Sequence, residues 1–305
     1  MKKVLITGAN GLLGQKLVFL LAKKENIQLL ATSRGECRFS IPKNVSYHNL
    51  DVTIAVDCKN LIEEFQPGVL IHAAAMTQVD ACETDRELCD SINVTGVNNL
   101  IQAISDYQTH FIHISTDFIY EGDEEEYFED SKVNPLSYYG ESKWKSEQLF
   151  EKVKFPYSIL RTVLVYGVLE DLSRSNIVLW VKGALEKGQE INIVEDQYRC
   201  PTLAEDLALA CLQVLEKKAT GVFHISGKDF ISILELIFQI ADYWNLDKSL
   251  INPIVTSSLN QPAKRPAKTK LNINKAVKKI NYQPKSFLEG LAIVDQQLQN
   301  LKLQK

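Results

Sequence analysis

The chain has 305 residues, 45% of them hydrophobic and 24% charged, enough apolar material for one or two globular domains and too much for a disordered segment. With 34 basic against 38 acidic residues the net charge is −4, which gives no electrostatic reason to expect nucleic acid or an anionic membrane as the main partner. Six scattered cysteines, Cys37, Cys58, Cys82, Cys89, Cys200 and Cys211, form no C-x-x-C pair and read as reduced thiols of a cytoplasmic protein. The apolar run after Met1-Lys2-Lys3 stops at Gly8, too short for a signal peptide, and no stretch approaches the roughly 18 apolar residues of a membrane span.

The first half alternates apolar runs with helical patterns. Val4–Thr7, Ile27–Thr32, Val45–Asn49, Val69–His72, Phe111–Ser115 and Tyr157–Thr162 read as strands, mostly continuous in polarity, as strands buried on both faces are. Between them, Leu12–Lys24, Ile54–Phe65, Asn93–Tyr107 and Tyr138–Val153 carry apolar residues at three- and four-residue steps and read as helices. Strands alternating with helices predict a doubly wound parallel sheet. Beyond Tyr166 the rhythm loosens into a helix near Asn176–Lys187, a strand Ile191–Val194, a helix Leu203–Glu216, a strand Val222–Ile225, a helix Ile231–Trp244 and a proline- and lysine-bearing loop. This half reads as a smaller α/β unit over the sheet's edge. The segment Glu121–Asp130 has seven acidic residues in ten and reads as a solvated loop.

Only 14 residues are glycine, and three of them are Gly8, Gly11 and Gly14. They lie between the first strand and the first helix, in a G-x-x-G-x-x-G turn that recurs by chance but here opens an alternating α/β half. Gly8 permits the tight turn, Gly11 lets backbone N–H groups approach a pyrophosphate, and Gly14 lets the helix pack on the strand. Asn10, Leu12 and Leu13 in the same turn are expected among the cofactor contacts. The second strand ends in Ser33-Arg34 with no carboxylate at its tip, so a hydroxyl and a guanidinium are available for a 2′-phosphate and NADPH is favoured. The alternative leaves Arg34 solvated and has Glu36 take the ribose of NADH. Asp51 and Val52 after the third strand are expected at the adenine, and Ala73, Ala74 and Ala75 after the fourth let the backbone lie against the cofactor.

Tyr139 and Lys143 are four apart on a predicted helix and project from one face. A bare Y-x-x-x-K is common on helix surfaces, but this pair follows a strand that ends Ser115-Thr116-Asp117. Reducing a ketone needs a proton donor at the carbonyl oxygen, and a tyrosine of reference pKa near 10 is a poor acid–base catalyst at pH 7. Lys143 and the oxidised nicotinamide are expected to favour its phenolate, while Thr116 hydrogen-bonds the substrate oxygen.

These residues, with His72 to Asp80, Asn93-Val94, Ser115 to Gly122, Pro135 to Lys143, Leu160-Arg161-Thr162, Asp196-Gln197 with Pro201-Thr202, and Pro262 to Pro266, carry a resemblance. The sequence resembles an extended short-chain dehydrogenase/reductase, and within that family the dTDP-4-dehydrorhamnose reductases, over essentially the whole chain. The resemblance implies an α/β fold, a Rossmann-type doubly wound parallel sheet with a smaller C-terminal α/β substrate domain. Residues 1–165 would form the dinucleotide-binding domain, with 195–218 returning to it, and 166–305 mainly the substrate domain. It implies catalytic Thr116, Tyr139 and Lys143, with Lys143 also on the nicotinamide ribose and Thr162 among the cofactor contacts. The nucleotide-sugar substrate would meet Thr77, Val79, Thr116, Asp117 and Phe118, with Arg265 nearby; from composition alone Arg265 reads as part of a basic, solvated loop. Asp196-Gln197 to Pro201-Thr202 is expected to organise the return between the two halves. Leu164 stands where the subgroup usually has an aromatic, Ser137-Tyr138 where it has Asn, and Phe118 where it has Tyr. None of these touches the hydride machinery, and all bear on which keto-sugar is taken.

A different nucleotide-linked keto-sugar is the second enzymatic reading, and a non-catalytic NADP-binding regulatory subunit the alternative from another class. His48, His72, His110, His113 and His224 show no metal-ligand spacing, so no metal is expected, and the resemblance admits a homodimer.

Overall fold

The computed structural model describes residues 1–171 and 175–303. The chain opens with strand β1 (Lys2–Thr7), helix α1 (Leu12–Leu21), β2 (Ile27–Ser33), β3 (Val45–Asn49), α2 (Ala55–Phe65) and β4 (Val69–His72). Two short helices, α3 (Val79–Thr84) and α4 (Arg86–Asp90), run into a π turn over Ser91–Thr95 and then α5 (Gly96–Ala103) and β5 (His110–Thr116). Next come α6 (Tyr138–Gln148), β6 (Tyr157–Thr162), β7 (Val165–Tyr166), α7 (Ile177–Glu186), β8 (Ile191–Val194), β9 (Tyr198–Arg199), β10 (Thr202–Leu203) and α8 (Ala204–Lys217). The chain ends with β11 (Gly221–Ile225), β12 (Ile231–Ser232), α9 (Ile233–Tyr243), β13 (Ile251–Ile254), α10 (Asn274–Ile280) and α11 (Phe287–Leu303).

Seven strands form one sheet in the order β11-β6-β5-β4-β1-β2-β3, every pairing parallel. This is the doubly wound Rossmann arrangement, and its strand order reverses between β1 and β4. The pleat explains the unbroken apolar run of β1. Val4 and Ile6 join a core with α1, α8 and α10, while Leu5 joins one with α2 and α5 on the opposite face. A third core gathers α7, α9 and α11 in the C-terminal half, where β7–β10, β9–β12 and β8–β13 form three small two-stranded sheets.

The sheet draws on the chain through Ile225, beyond the 195–218 segment, because β11 adds to the edge of β6 and α8 shares a core with α1. The helix read as Asn93–Tyr107 instead begins with the π turn, in which the buried Asn93 donates to Met76 O at 3.0 Å and to Ser142 Oγ at 3.0 Å. Its carbonyl accepts from Met76 N at 2.8 Å, so the turn ties the loop after β4 to α6. Among the described residues no helix is long and apolar enough to cross a membrane, and all six cysteines are free.

Candidate active site

A cleft opens at the carboxyl ends of β1 and β4, lined by Gly8, Asn10, Gly11, Ser33, Arg34, Leu50, Asp51, Val52, Ala73, Ala74, Ala75 and Ile92. Its cradle is shaped by glycine. Gly8 has φ +75°, and a Cβ there would lie 2.5 Å from Ala74 N, so β1 and β4 approach closely only without a side chain. A Cβ on Gly14 would lie 2.2 Å from Gly8 O, which packs α1 onto the turn. No side chain caps the start of α1 and its first turn holds no acidic residue, leaving backbone N–H groups and the positive helix end for an anion. These features fit a dinucleotide pyrophosphate.

Asn10 is the strut of the cleft rather than a free side chain. It donates to Glu36 O at 2.9 Å and accepts from Arg38 N at 3.0 Å, fixing the loop after β2. Arg34 is exposed and makes no hydrogen bond or ion pair among the described residues, and Glu36 is not in the cleft lining. Leu12, Leu13 and Thr162 also fall outside that lining. Thr162 ends β6 beside Thr116 and donates to Thr202 Oγ1 at 3.4 Å. Leu50 and Ile92, which do line the cleft, carry no polar signal that the sequence could have offered.

The end of β5 and the start of α6 bring Thr116, Tyr139 and Lys143 together. Ser137 caps α6 by accepting from Gly140 N at 3.3 Å, and the helix then turns a polar face inward, burying Tyr139, Ser142, Lys143, Ser146 and Glu147. Burial pushes the Tyr139 phenol above its ordinary value, partly offset by a hydrogen bond with Thr116. Burial by itself favours the neutral phenol, so a phenolate would depend on the charges of Lys143 and of the oxidised nicotinamide. Lys143 itself is brought down to about 8 by burial, with the Glu147 charge acting the other way. Its Nζ lies 3.3 Å from His113 Nε2.

Val79 and Phe118 pack around Tyr139 in one small cluster with Cys82 and Cys89, and the Phe118 ring meets Tyr139 edge-on at 5.7 Å. Thr77 is exposed in the loop before α3. Asp117 faces inward: Thr269 Oγ1 donates to it at 2.5 Å and Arg199 lies 3.7 Å away. Burial raises its carboxyl, against the pull of Arg199. Arg265 reaches across from the C-terminal half to Asp80, with contacts of 3.1 and 2.7 Å; that hydrogen bond holds the Asp80 carboxyl below its usual range. Asp196 accepts from Thr256 N at 3.0 Å, and Tyr198 N donates to Ala267 O at 2.8 Å. The segment of 196–199 thus ties down the loop that carries Arg265.

Arg199 was not among the expected site residues. Its guanidinium donates to the carbonyls of Pro266 at 2.6 Å and Ala267 at 3.1 Å while facing Asp117, so one buried cation joins that loop to the residue after Thr116. The only sequence signal was its place inside the Asp196–Thr202 run.

The RmlD substrate binding domain family matches residues 1–300. A dTDP-4-dehydrorhamnose reductase structure from Clostridium acetobutylicum is 29% identical, with a TM-score of 0.85 over 97% of this chain and 99% of that one. The structure of dTDP-4-dehydrorhamnose reductase from Bacillus anthracis in complex with NADP is 28% identical, with a TM-score of 0.83 over 97% of this chain and 100% of that one. Methionine adenosyltransferase 2 subunit beta of Xenopus tropicalis is 32% identical over 260 residues, 83% of this chain and 75% of its own length. The chain belongs to the RmlD substrate-binding domain family, within the extended short-chain dehydrogenase/reductase fold.

Proposed function

We propose that the protein is an NAD(P)-dependent oxidoreductase that uses NADPH to reduce the 4-keto group of a nucleotide-linked deoxysugar, with dTDP-4-dehydrorhamnose, reduced to dTDP-rhamnose, as its first candidate substrate. The observation that carries this reading is the gathering of Thr116, Tyr139 and buried Lys143 in a chain whose glycine cradle fits a dinucleotide. The likeness to dTDP-4-dehydrorhamnose reductases over nearly the full length supports the substrate class.

Gly8, Gly11 and Gly14 with the start of α1 would hold the pyrophosphate, and Ser33 and Arg34 the adenosine 2′-phosphate. When bound, the nicotinamide supplies the hydride that goes to the carbonyl carbon. Tyr139, held as a phenol by burial, carries the proton for the carbonyl oxygen. Thr116 now donates to Asp117 Oδ1 at a long 3.2 Å, a weak bond that its hydroxyl exchanges for one to the substrate oxygen. Once the proton has left, the phenolate is offset by the nearby charge of Lys143. Val79 and Phe118 pack against Tyr139, and the Arg265–Asp80 pair ties the loop that carries Arg265 to α3.

Purified protein mixed with NADPH and dTDP-4-dehydrorhamnose is expected to consume the reduced-nicotinamide absorbance. Absence of turnover across a panel of nucleotide-linked keto-sugars would instead favour the regulatory-subunit reading, which the similarity to methionine adenosyltransferase 2 subunit beta keeps in play. For the cofactor, Arg34→Ala is expected to raise KM for NADPH about tenfold to a hundredfold, the loss of one charge-assisted phosphate contact, and to leave KM for NADH unchanged. A wild-type preference for NADH would overturn that assignment.

A further inference from the structure

We propose that Glu147 is the positioning residue that keeps Lys143 cationic, a buried carboxylate one helical turn beyond the lysine and locked in place by Ser115 and Arg161. The inference rests on the reading of Lys143 as a member of the catalytic trio and assigns the source of its charge. Tyr139, Lys143 and Glu147 follow one another at four-residue steps on α6, so they share one face, and all three are buried.

The groups around Lys143 leave it short of a counter-charge. From β5 comes His113, at 3.3 Å, and from β4 His72, stacked on His113 with ring centroids 5.6 Å apart. Burial holds both imidazoles neutral, His113 far below its ordinary value and His72 down to about 3. For Tyr139 on the same helix, burial favours the neutral phenol. From α4 comes Cys89, whose thiol is drawn down by its hydrogen bond with Cys82. Glu147 and Cys89 are therefore the two groups that can support a positive lysine, and Glu147 is the one held in an ion pair, with Arg161 at 2.7 Å.

Its fixation is complete. Ser115 Oγ donates to Oε1 at 2.5 Å, Arg161 Nε to both oxygens at 3.1 and 3.2 Å, and Arg161 Nη2 to Oε2 at 2.7 Å. Arg161 approaches from β6 and shares its charge onward with Tyr120 OH at 2.7 Å and Glu129 O at 2.8 Å. The carboxylate stands on the buried face of α6 that carries Lys143. It also bonds Ser115, the residue before Thr116, and so links the two halves of the trio.

The test is a direct titration of Lys143 in the full chain labelled with 13C-lysine, its resonance assigned by its absence in K143M. In the wild type it is expected to titrate near 8, in Glu147→Gln a unit or more lower, and in Cys89→Ser where the wild type does. Since Glu147→Gln leaves Arg161 buried without its partner, the double variant E147Q/R161M removes that charge too, and the downward shift is expected again. A titration unmoved in the variants lacking Glu147, or moved by Cys89→Ser alone, would overturn the proposal. The alkaline limb of kcat/KM is expected to follow the same shift, a readout that a merely structural carboxylate would not move. The resonance reports on the lysine whether or not a keto-sugar is turned over, so failure of the functional reading and failure of this one are separable.

Discussion

Tyr139→Phe is expected to lower kcat for keto-sugar reduction by about 10²- to 10⁴-fold, the usual contribution of a positioned proton donor, with NADPH affinity retained. The substitution removes one oxygen and keeps the ring, so the packing of Val79, Phe118, Cys82 and Cys89 around it survives. What it deletes is the phenol held neutral by burial and hydrogen-bonded with Thr116. In the reduction direction that protonated form is the useful one: a phenolate in the resting site would have no proton to give. Following loss of the reduced-nicotinamide absorbance alongside cofactor titration separates chemistry from binding. A variant that turns over at the wild-type rate would remove Tyr139 from the mechanism and with it the proposed reaction.

The cofactor half was legible because its signals are local. Val4, Leu5 and Ile6 are all fully buried on the two faces of one strand, which a continuous apolar run announces. Gly8 and Gly14 report backbone contacts that no other residue tolerates. The substrate half was less legible, since its links are long-range: Arg265 to Asp80 spans 185 positions and Thr269 to Asp117 spans 152. Helix α6 shows a different limit. Its inward face is Tyr139, Ser142, Lys143, Ser146 and Glu147, polar throughout, so a reading from apolar periodicity finds the helix and misjudges which side is buried. Glu147, four past Lys143, bears no mark in the sequence that distinguishes a buried carboxylate from a solvated one. Helix α11 was passed over although Phe287, Leu291 and Val294 repeat at helical steps and are buried, because the preceding prolines and lysines suggested an extended loop.

The second large effect is expected at Gly14. An added Cβ would stand 2.2 Å from Gly8 O, 2.6 Å from Ala9 Cα and 2.9 Å from Ala9 C, all backbone atoms that cannot rotate aside. Gly8 has no room to yield, since its own position already lies against Ala73 and Ala74. Helix α1 must therefore lift from β1, and it cannot do so freely because Leu17, Val18 and Leu21 are packed in the core with Leu207 and Leu212 of α8. Gly14→Ala is expected to cost about 1–3 kcal/mol of stability as overpacking. It is also expected to weaken NADPH by roughly tenfold to a hundredfold for each backbone N–H contact to the pyrophosphate that is lost. Gly183 supplies the contrast: it lies within α7 with nothing within 4 Å of an added Cβ, so Gly183→Ala is expected to stabilise by about 0.5–1 kcal/mol and leave cofactor binding alone. Thermal unfolding and fluorescence titration with NADPH on both variants decide the matter. If Gly14→Ala bound NADPH as tightly as Gly183→Ala does, the close packing of α1 on the glycine turn would not be what holds the cofactor.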